Sequence, residues 1–311
     1  MFPIPATILM HIPDGFLNIF VSLACWAITL IILSLAVAAT RRDLDERLVP
    51  LAGIMAAFIF AAQMLNFPVA GGTSGHFIGA ALAFIVLGPW LGLLAMTAVV
   101  AVQALLFQDG GLVVMGANIL VMGIVPGFLA YGLHRGGRGR GHTLQLLLTG
   151  AAAWLSVMGA ATIVSLLLAF SGTSSLTVVL PAMLGVHALI GLGEALITVA
   201  ALTFIGRTRP ALLEEGHSAG RGGWVVGGLA VALLLVLVAP FASGHPDGLE
   251  WAAEQAGFLH LAQSAPYAVL PDYTVPLLGE TGLSTIAAGI IGVLLVAGLV
   301  YLATRTLRRE A

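Results

Sequence analysis

Long apolar runs separated by short polar connections make up most of this chain. A helix that crosses a bilayer needs ~20 mainly apolar residues, and eight runs approach or exceed that length. So many runs leave no polar shell in which a soluble protein could bury them, so the pattern predicts an integral membrane protein built from helices. The eight runs are 17–40, 49–66, 77–107, 112–131, 144–170, 178–206, 224–240 and 283–304.

The positions of arginine predict which helix ends face the cytoplasm. All twelve basic residues are arginine, and they form four clusters, at 41–47, 135–140, 207–221 and 305–309. Arginine is absent from four other connections, at 67–76, 108–111, 171–177 and 241–282. Because basic residues are retained on the cytoplasmic side, we assign all four clusters to that side.

The arginine clusters also test the number of crossings. The first two clusters then lie on the same side, so an even number of crossings separates them, whereas only three apolar runs lie between them. The longest run, 77–107, is interrupted by Gly88-Pro89, and proline disfavours helix in the residue before it. We therefore predict two short helices, at 77–87 and 90–107, joined by an uncharged cytoplasmic turn. The expected fold is an all-α membrane protein with nine crossings, an outer N-terminus and a cytoplasmic C-terminus.

A polar stretch at 207–223, read as a cytoplasmic linker, divides the chain into two expected modules. Residues 1–206 are expected to form a seven-helix membrane bundle, and residues 224–311 a two-helix module. In this second module, an outer segment at 241–282 joins the two helices.

Carboxylates dominate the charge of the predicted outer face. Such a face attracts cations, although the retention of arginine inside already explains the missing positive charges. In the outer segment, Pro246 is expected in the first turn of a short helix, with Asp247 and Glu250 near its positive end. The seven outer carboxylates are Asp14, Asp109, Asp247, Glu250, Glu254, Asp272 and Glu280.

Composition narrows the classes of function. Apolar residues make up 59% of the chain and charged residues 8%, against roughly 25% charged in an average soluble domain, which excludes soluble, disordered and collagen-like chains. The single cysteine, Cys25, excludes a disulfide framework and a CxxC metal site. The chain has no lysine and therefore no Walker A loop, so ATP, if it drives this protein, binds to another chain.

Two of the eight histidines stand out by their sequence context. His11 follows Met10 and precedes Ile-Pro-Asp-Gly ahead of the first helix, and His76 ends a Gly-Gly-Thr-Ser-Gly segment. Both are predicted on the outer side, where two imidazoles together would suit a late first-row divalent metal. Two ligands are too few for a complete site, so the residues alone leave open a pair of interfacial histidines bonded to backbone. His245 and His260 are further candidates for metal capture.

Several segments resemble one family of transport proteins. Met10-His-Ile-Pro-Asp-Gly-Phe-Leu17 and Gly-Thr-Ser-Gly-His76 are similar to the membrane substrate-binding components of cobalt and nickel energy-coupling-factor transporters, CbiM and NikM. Residues 243–251 resemble the PDGLE segment of the companion subunit, CbiN or NikN, so the resemblance covers nearly the whole chain as a fusion of both subunits. Shorter matches occur at 88–90, 103–107, 109–111, 116–118 and 187–194.

The resemblance implies a set of metal ligands. It implies that the metal is bound by the Met10 amine, the backbone nitrogen and imidazole of His11, and the imidazole of His76. Four nitrogen ligands in a plane suit Ni(II) or Cu(II). Nine residues precede Met10 in this sequence. A free amine then requires that translation starts at Met10 or that residues 1–9 are removed, and we expect the former. Val121 is a second departure, since relatives often carry asparagine there.

Other polar residues are candidates for supporting the site. Asp14 is a candidate to orient His11 or the amine, with a turn aspartate as the alternative. His187 and Glu194 lie seven residues apart, on one helical face, and an intramembrane carboxylate there indicates either metal passage or a structural hydrogen bond. Four residues are candidates for support, with ordinary turn, loop and interhelical hydrogen bonds as the alternative: Asp14, Thr73, Ser74 and Asn118.

We therefore expect the substrate-specificity subunit of an energy-coupling-factor transporter in the cell membrane. The expected cargo is Ni²⁺, with Co²⁺ for cobalamin biosynthesis as the alternative. The resemblance implies a transmembrane coupling subunit and two ATPase subunits as partners, with no ATP and no nucleic acid on this chain. A stand-alone metal channel would need no partners, and a membrane metalloenzyme is disfavoured because the sequence has no HExxH motif.

Overall fold

The structure, a computed structural model, describes residues 11–46, 48–137, 139–209 and 223–309. Two short strands, β1 (Phe67–Pro68) and β2 (Ser74–Gly75), pair antiparallel. A π-helical segment, Gln103–Phe107, extends α4, and a second, Leu120–Ile124, joins α5 to α6. The helices of the described residues are α1 (Ile19–Asp43), α2 (Leu48–Gln63), α3 (Ala80–Leu87), α4 (Pro89–Val102), α5 (Met115–Ile119), α6 (Val125–Gly136), α7 (His142–Phe170), α8 (Leu176–Thr208), α9 (Gly223–Val238), α10 (Gly248–Ala256) and α11 (Gly282–Arg309).

The described helices form a multi-pass membrane bundle. Helices α2 and α9 are apolar but have 16 residues each. Helix α3 has eight residues, or about 12 Å at 1.5 Å per residue, which is less than a hydrocarbon core. The count of nine crossings and the orientation of the termini therefore stay predictions. Six described stretches are long and apolar enough to cross a membrane: Ile19–Arg42, Pro89–Phe107, Met115–Gly136, His142–Phe170, Leu176–Thr208 and Gly282–Arg308.

The predicted break in the longest apolar run is confirmed. Gly88 has φ 79° and ψ 166°, a conformation that ends α3, and α4 begins at Pro89. The two helices then pack closely, because a Cβ atom on Gly92 would lie 3.0 Å from the backbone of Ala83 and Phe84. Glycine at position 92 thus allows the two helices to approach each other at backbone distance.

Small side chains bring the long helices together. Helix α7 packs against α6 and α8, and its residues Ala152, Ser156 and Ala160, which repeat every four positions, are buried. The indole N–H of Trp154, on α7, donates to the carbonyl of Ala188, on α8, at 2.8 Å. Close approach of this kind provides packing energy between helices in lipid, where apolar burial alone does not.

Helices α9 and α11 pack against α2, within the bundle. A Cβ atom on Gly292 would lie 2.1 Å from the Phe60 ring, and one on Gly53 would lie 2.9 Å from the Ala297 carbonyl oxygen. Near the end of α11, Arg308 pairs with Glu46 in the connection between α1 and α2. The C-terminal helices therefore share an extensive interface with the N-terminal part of the chain.

Residues 241–282, here called the covering segment, lie across the end of the bundle at which α1 begins. The Gln263 amide donates to the Asp14 carbonyl at 2.8 Å, and the Leu270 amide donates to the Leu106 carbonyl at 2.9 Å. The Tyr267 hydroxyl donates to the neighbouring Leu105 carbonyl at 2.9 Å. The segment is thereby attached to both the N-terminal loop and the end of α4.

The short helix predicted in the covering segment is present as α10, but its first turn differs from the prediction. Asp247 is the N-cap, and its carboxylate accepts from the Leu249 and Glu250 amides at 2.8 Å each. Pro246 therefore precedes the cap, where sequence analysis placed it in the first turn. The physical reason is that the aspartate side chain satisfies two of the amides left free at a helix start.

Candidate metal site

The first described residues fold into the bundle end and bury His11. Its exposed fraction is 3%. Asn118 fixes the adjacent backbone from two sides: its Oδ1 accepts from the Ile12 amide at 3.0 Å, and its Nδ2 donates to the Ile12 carbonyl at 2.9 Å. Gly110 packs against this pair with φ 102°, and a Cβ there would lie 3.0 Å from the His11 Cβ. A larger residue at 110 would meet both the His11 side chain and an unfavourable backbone conformation.

Asp109 connects His11 to the covering segment. One carboxylate oxygen, Oδ1, lies 2.8 Å from His11 Nδ1. The other, Oδ2, accepts from the Tyr273 hydroxyl at 2.6 Å. Both Asp109 and Tyr273 are buried, so one carboxylate links His11 to Tyr273, which lies 164 positions after Asp109 in the chain.

The environment of this network favours charge on His11 and Asp109. Burial by itself lowers the pKa of His11, but the facing Asp109 carboxylate raises it above the ordinary value of 6.5. Burial likewise raises the pKa of Asp109, and the nearby His11 imidazole outweighs that effect and lowers it. Burial and the Asp109 charge raise the pKa of Tyr273, so its hydroxyl remains a donor.

Of the two alternatives for Asp14, its contacts match the turn aspartate. Its carboxylate accepts from three successive amides, those of Leu112, Val113 and Val114, at 2.9 to 3.2 Å. Three amide donors orient both carboxylate oxygens towards the loop that precedes α5. Asp14 therefore holds that loop, and the carboxylate beside His11 belongs to another residue.

His76 lies beside His11 on a segment that the covering segment anchors. The two imidazole centroids are 5.8 Å apart, with 56° between the ring planes, and His76 is buried. Ser74 attaches this segment, since its hydroxyl donates to the His245 carbonyl at 2.8 Å and its amide to the Pro246 carbonyl at 2.8 Å. The Thr73 hydroxyl donates to the Ala70 carbonyl at 2.9 Å, which stabilises the turn before Ser74.

Glu194 holds the opposite end of the His76 segment. Its carboxylate accepts from the Ile78 amide at 2.7 Å and from the Gly79 amide at 3.0 Å, and it is fully buried. Helix α3 consequently begins at Ala80, three residues later than predicted, because the carboxylate holds the preceding residues in a non-helical conformation. Of the two alternatives for Glu194, this contact matches the structural hydrogen bond.

A cavity of about 50 Å³ lies between the two imidazoles and α8. His187 contributes to its wall, with Nδ1 2.8 Å from the Met183 carbonyl one turn earlier. Asp247 and Gly248 of the covering segment complete the wall. Gly248 needs to be small, since a Cβ there would lie 2.6 Å from the His187 ring.

The chemistry of this site suits a divalent metal ion bound by imidazole. Metal–nitrogen bonds of about 2 Å place two imidazole centroids on one ion roughly 4.5 to 6 Å apart, and the observed 5.8 Å lies within that range. His11 presents Nδ1 to Asp109, and its Nε2 is buried without a hydrogen-bond partner among the described residues. Among all the residues that the structure describes, no three His, Cys, Asp or Glu side chains are placed to hold a metal ion. A complete site therefore needs further ligands. Met10, whose amine is expected to be one of these ligands, lies outside the described residues.

The structure brings together several of the residues that the sequence motifs single out. Asn118 and Ser74 hold the backbone next to the two histidines, whereas Asp14 supports a neighbouring loop. Asp109 and Tyr273 were missed as members of the site. The feature that identifies Asp109 is a buried carboxylate beside a histidine, and this proximity is visible only in the three-dimensional structure.

Fold and site together define a multi-pass membrane protein with a buried pair of imidazoles covered by its C-terminal part. A family model described as "Cobalt uptake substrate-specific transmembrane region", CbiM, matches residues 11–212. A second, described as "PDGLE domain", matches residues 222–309. The chain belongs to the CbiM family and carries a PDGLE domain after the CbiM region.

Two relatives share both parts of the chain, and a solved structure matches 64% of it. A protein of Archaeoglobus fulgidus, named as a fused nickel transport protein NikMN, is 36% identical over 308 residues, which cover 96% of this chain and 99% of that protein. The fused nickel transport protein NikMN of Rhodobacter capsulatus is 29% identical and covers 93% and 96% of the two chains. A crystal structure of a truncated transition metal transporter is 30% identical, with a TM-score of 0.58 over 64% of this chain and 99% of that chain.

Proposed function

We propose that this protein is the substrate-specificity subunit of an energy-coupling-factor importer of Ni²⁺, with its companion subunit fused at the C-terminus. The observation that carries the proposal is the buried pair of His11 and His76, whose ring separation fits one shared ion. The relatives named as fused nickel transport proteins share the same two-part organisation.

In this proposal the ion is caught by four nitrogens. They come from the Met10 amine, the His11 backbone nitrogen and imidazole, and the His76 imidazole. Four nitrogens in a plane favour Ni(II) or Cu(II) over ions that prefer tetrahedral or oxygen-rich sites, which is the argument for nickel. Cobalt is the alternative because the matching family is described as taking part in cobalt uptake.

The energy for uptake is proposed to come from other chains. This chain contains no lysine and hence no Walker A loop. We therefore propose a transmembrane coupling subunit and two ATPase subunits as partners. Co-purification of ATPase subunits with the native protein supports this assembly, and metal uptake by the isolated chain in liposomes would identify a stand-alone channel instead.

The metal site is tested by His76→Ala. We expect loss of high-affinity Ni²⁺ binding, measured by equilibrium dialysis of the purified full chain, with unchanged membrane insertion. His142→Ala is the matched control, because His142 is exposed at the start of α7. Unchanged Ni²⁺ affinity in His76→Ala would contradict the site, and tighter binding of Co²⁺ than of Ni²⁺ to the wild type would favour the alternative cargo.

The amine ligand is tested by the mature N-terminus. We expect N-terminal sequencing of the nickel-loaded protein to begin at Met10. A chain that begins at Met1 and still binds Ni²⁺ tightly would rule out the amine, since the nitrogen of Met10 would then be a peptide amide.

A further inference from the structure

The covering segment places one hydroxyl group beside the candidate metal site. Tyr273 donates to Asp109 Oδ2 at 2.6 Å, while Asp109 Oδ1 lies 2.8 Å from His11 Nδ1. A side chain of the C-terminal part of the protein is therefore two hydrogen bonds away from a proposed metal ligand.

Tyr273 is held firmly in this position. Its ring stacks on Phe107 with centroids 4.8 Å apart and planes 20° apart, and its hydroxyl accepts from Gln103 Nε2 at 3.2 Å. Asp272 and Tyr273 both adopt positive φ, 49° and 56°, which residues with a side chain rarely do. Such a backbone persists only where surrounding contacts enforce it, and here they direct the hydroxyl to Asp109.

The proposed chelate and Asp109 need the same atom of His11. A chelate ring that includes the His11 backbone nitrogen and its own imidazole closes through Nδ1, because Nε2 lies on the far side of the ring. Nδ1 is the nitrogen that Asp109 contacts in this structure. Binding of the ion must therefore displace the carboxylate, which then depends on its remaining donor.

We propose that Tyr273 is a positioning residue for metal capture, which retains the Asp109 carboxylate by its hydroxyl when the ion takes His11 Nδ1. This inference rests on the proposed function. The retained carboxylate stays hydrogen-bonded inside a buried site, where an anion without a donor is costly, and its negative charge remains close to the bound cation. The C-terminal part of the chain thereby contributes to metal affinity without supplying a ligand.

Tyr273→Phe tests this role because it removes the hydroxyl and keeps the ring that stacks on Phe107. We expect the dissociation constant for Ni²⁺, measured by equilibrium dialysis on the full chain, to rise about 10-fold, as partners that support metal ligands typically contribute 10–100-fold. Tyr267→Phe is the matched control, since it removes another hydroxyl of the covering segment, bonded to Leu105. The control should stay within about twofold of the wild type.

Two further measurements separate this role from general packing. In an Asp109→Asn background, Tyr273→Phe should change the Ni²⁺ dissociation constant less than about twofold, because residues that act through one another are not additive. In metal-free protein labelled with ¹⁵N-histidine, Tyr273→Phe should shift the Nδ1 resonance of His11, whereas Tyr267→Phe should leave it in place. The resonance is assigned to His11 because it is absent from the spectrum of His11→Ala.

The proposal is overturned by unchanged Ni²⁺ affinity in Tyr273→Phe, by an equal loss in the Asp109→Asn background, or by an unshifted His11 resonance. If Tyr273→Phe does not fold, Gln103→Met provides the test, since it removes the donor to the same hydroxyl. It should then weaken Ni²⁺ binding by less than about 10-fold, because the hydroxyl itself is retained, and unchanged binding overturns the proposal. Absence of Ni²⁺ binding by the wild-type chain is a separate result, which contradicts the proposed function itself.

Discussion

At the scale of single residues, Asp109 determines the electrostatic environment of the candidate site. It is one of seven outer carboxylates, and the sequence indicates no particular role for it. Its contact with His11 spans 98 positions, and no local pattern reveals a contact of that range. The histidines themselves were recognisable because their neighbours form distinctive motifs. The side chains that orient them were not, since their roles depend on packing.

The ion pair of His11 and Asp109 predicts a pH dependence of the metal-free protein. Because the pKa of His11 is raised above 6.5, its contribution to stability is complete below pH 6.5 and is lost as the pH rises through the raised value. Because the pKa of Asp109 is lowered below 3.8, its contribution is present above pH 3.8 and is lost as the pH falls through the lowered value.

We therefore expect the melting temperature of the wild type to exceed that of Asp109→Asn most strongly between pH 3.8 and pH 6.5. Thermal unfolding in detergent across the pH range measures the difference. A constant difference from pH 4 to pH 9 would contradict the ion pair. Nickel affinity should show the opposite trend and fall with decreasing pH, since protons compete for the ligand nitrogens.

At the scale of elements, the apolar pattern predicted the helices well and their ends less well. The break at Gly88-Pro89 is confirmed because glycine and proline act locally. The start of α3 was misplaced because Glu194, from a distant helix, holds the amides of Ile78 and Gly79. Long-range side-chain contacts of this kind leave no periodic signal in the sequence.

Glu194→Ala tests this element-level role. Without the carboxylate, two buried amides lose their acceptor, at a cost of about 1–3 kcal/mol for each buried group left unsatisfied. We expect a clearly lower melting temperature than for Glu254→Ala, the control on the exposed face of α10. Equal melting temperatures for the two variants would show that Glu194 does not support the start of α3.

At the scale of the whole molecule, the two parts of the chain are packed together more closely than the expected division into seven and two helices suggests. Composition and arginine placement identified a multi-pass membrane protein. They carry no information on which helices are neighbours, and the packing of α9 and α11 against α2 could not be read from them. The count of crossings depends on α3, whose eight residues fall short of a complete span.

Gly292→Leu tests the packing of α11 on α2. Residues 1–209 and 223–309, produced together as separate chains, should co-purify because this interface joins them. A leucine at 292 would collide with the Phe60 ring and should abolish co-purification, whereas Gly298→Leu, with open space around it, should not. Co-purification of the Gly292→Leu pair would contradict the interface.

The contact of Ser74 with the covering segment has a consequence for evolution. Ser74 bonds to the main-chain oxygens of His245 and Pro246 and not to their side chains. Recognition of main-chain atoms depends on the path of the backbone and is indifferent to the identity of the side chain at position 245. Mutations at position 245 can accumulate without separating the two parts of the protein, as long as the backbone there follows the same path.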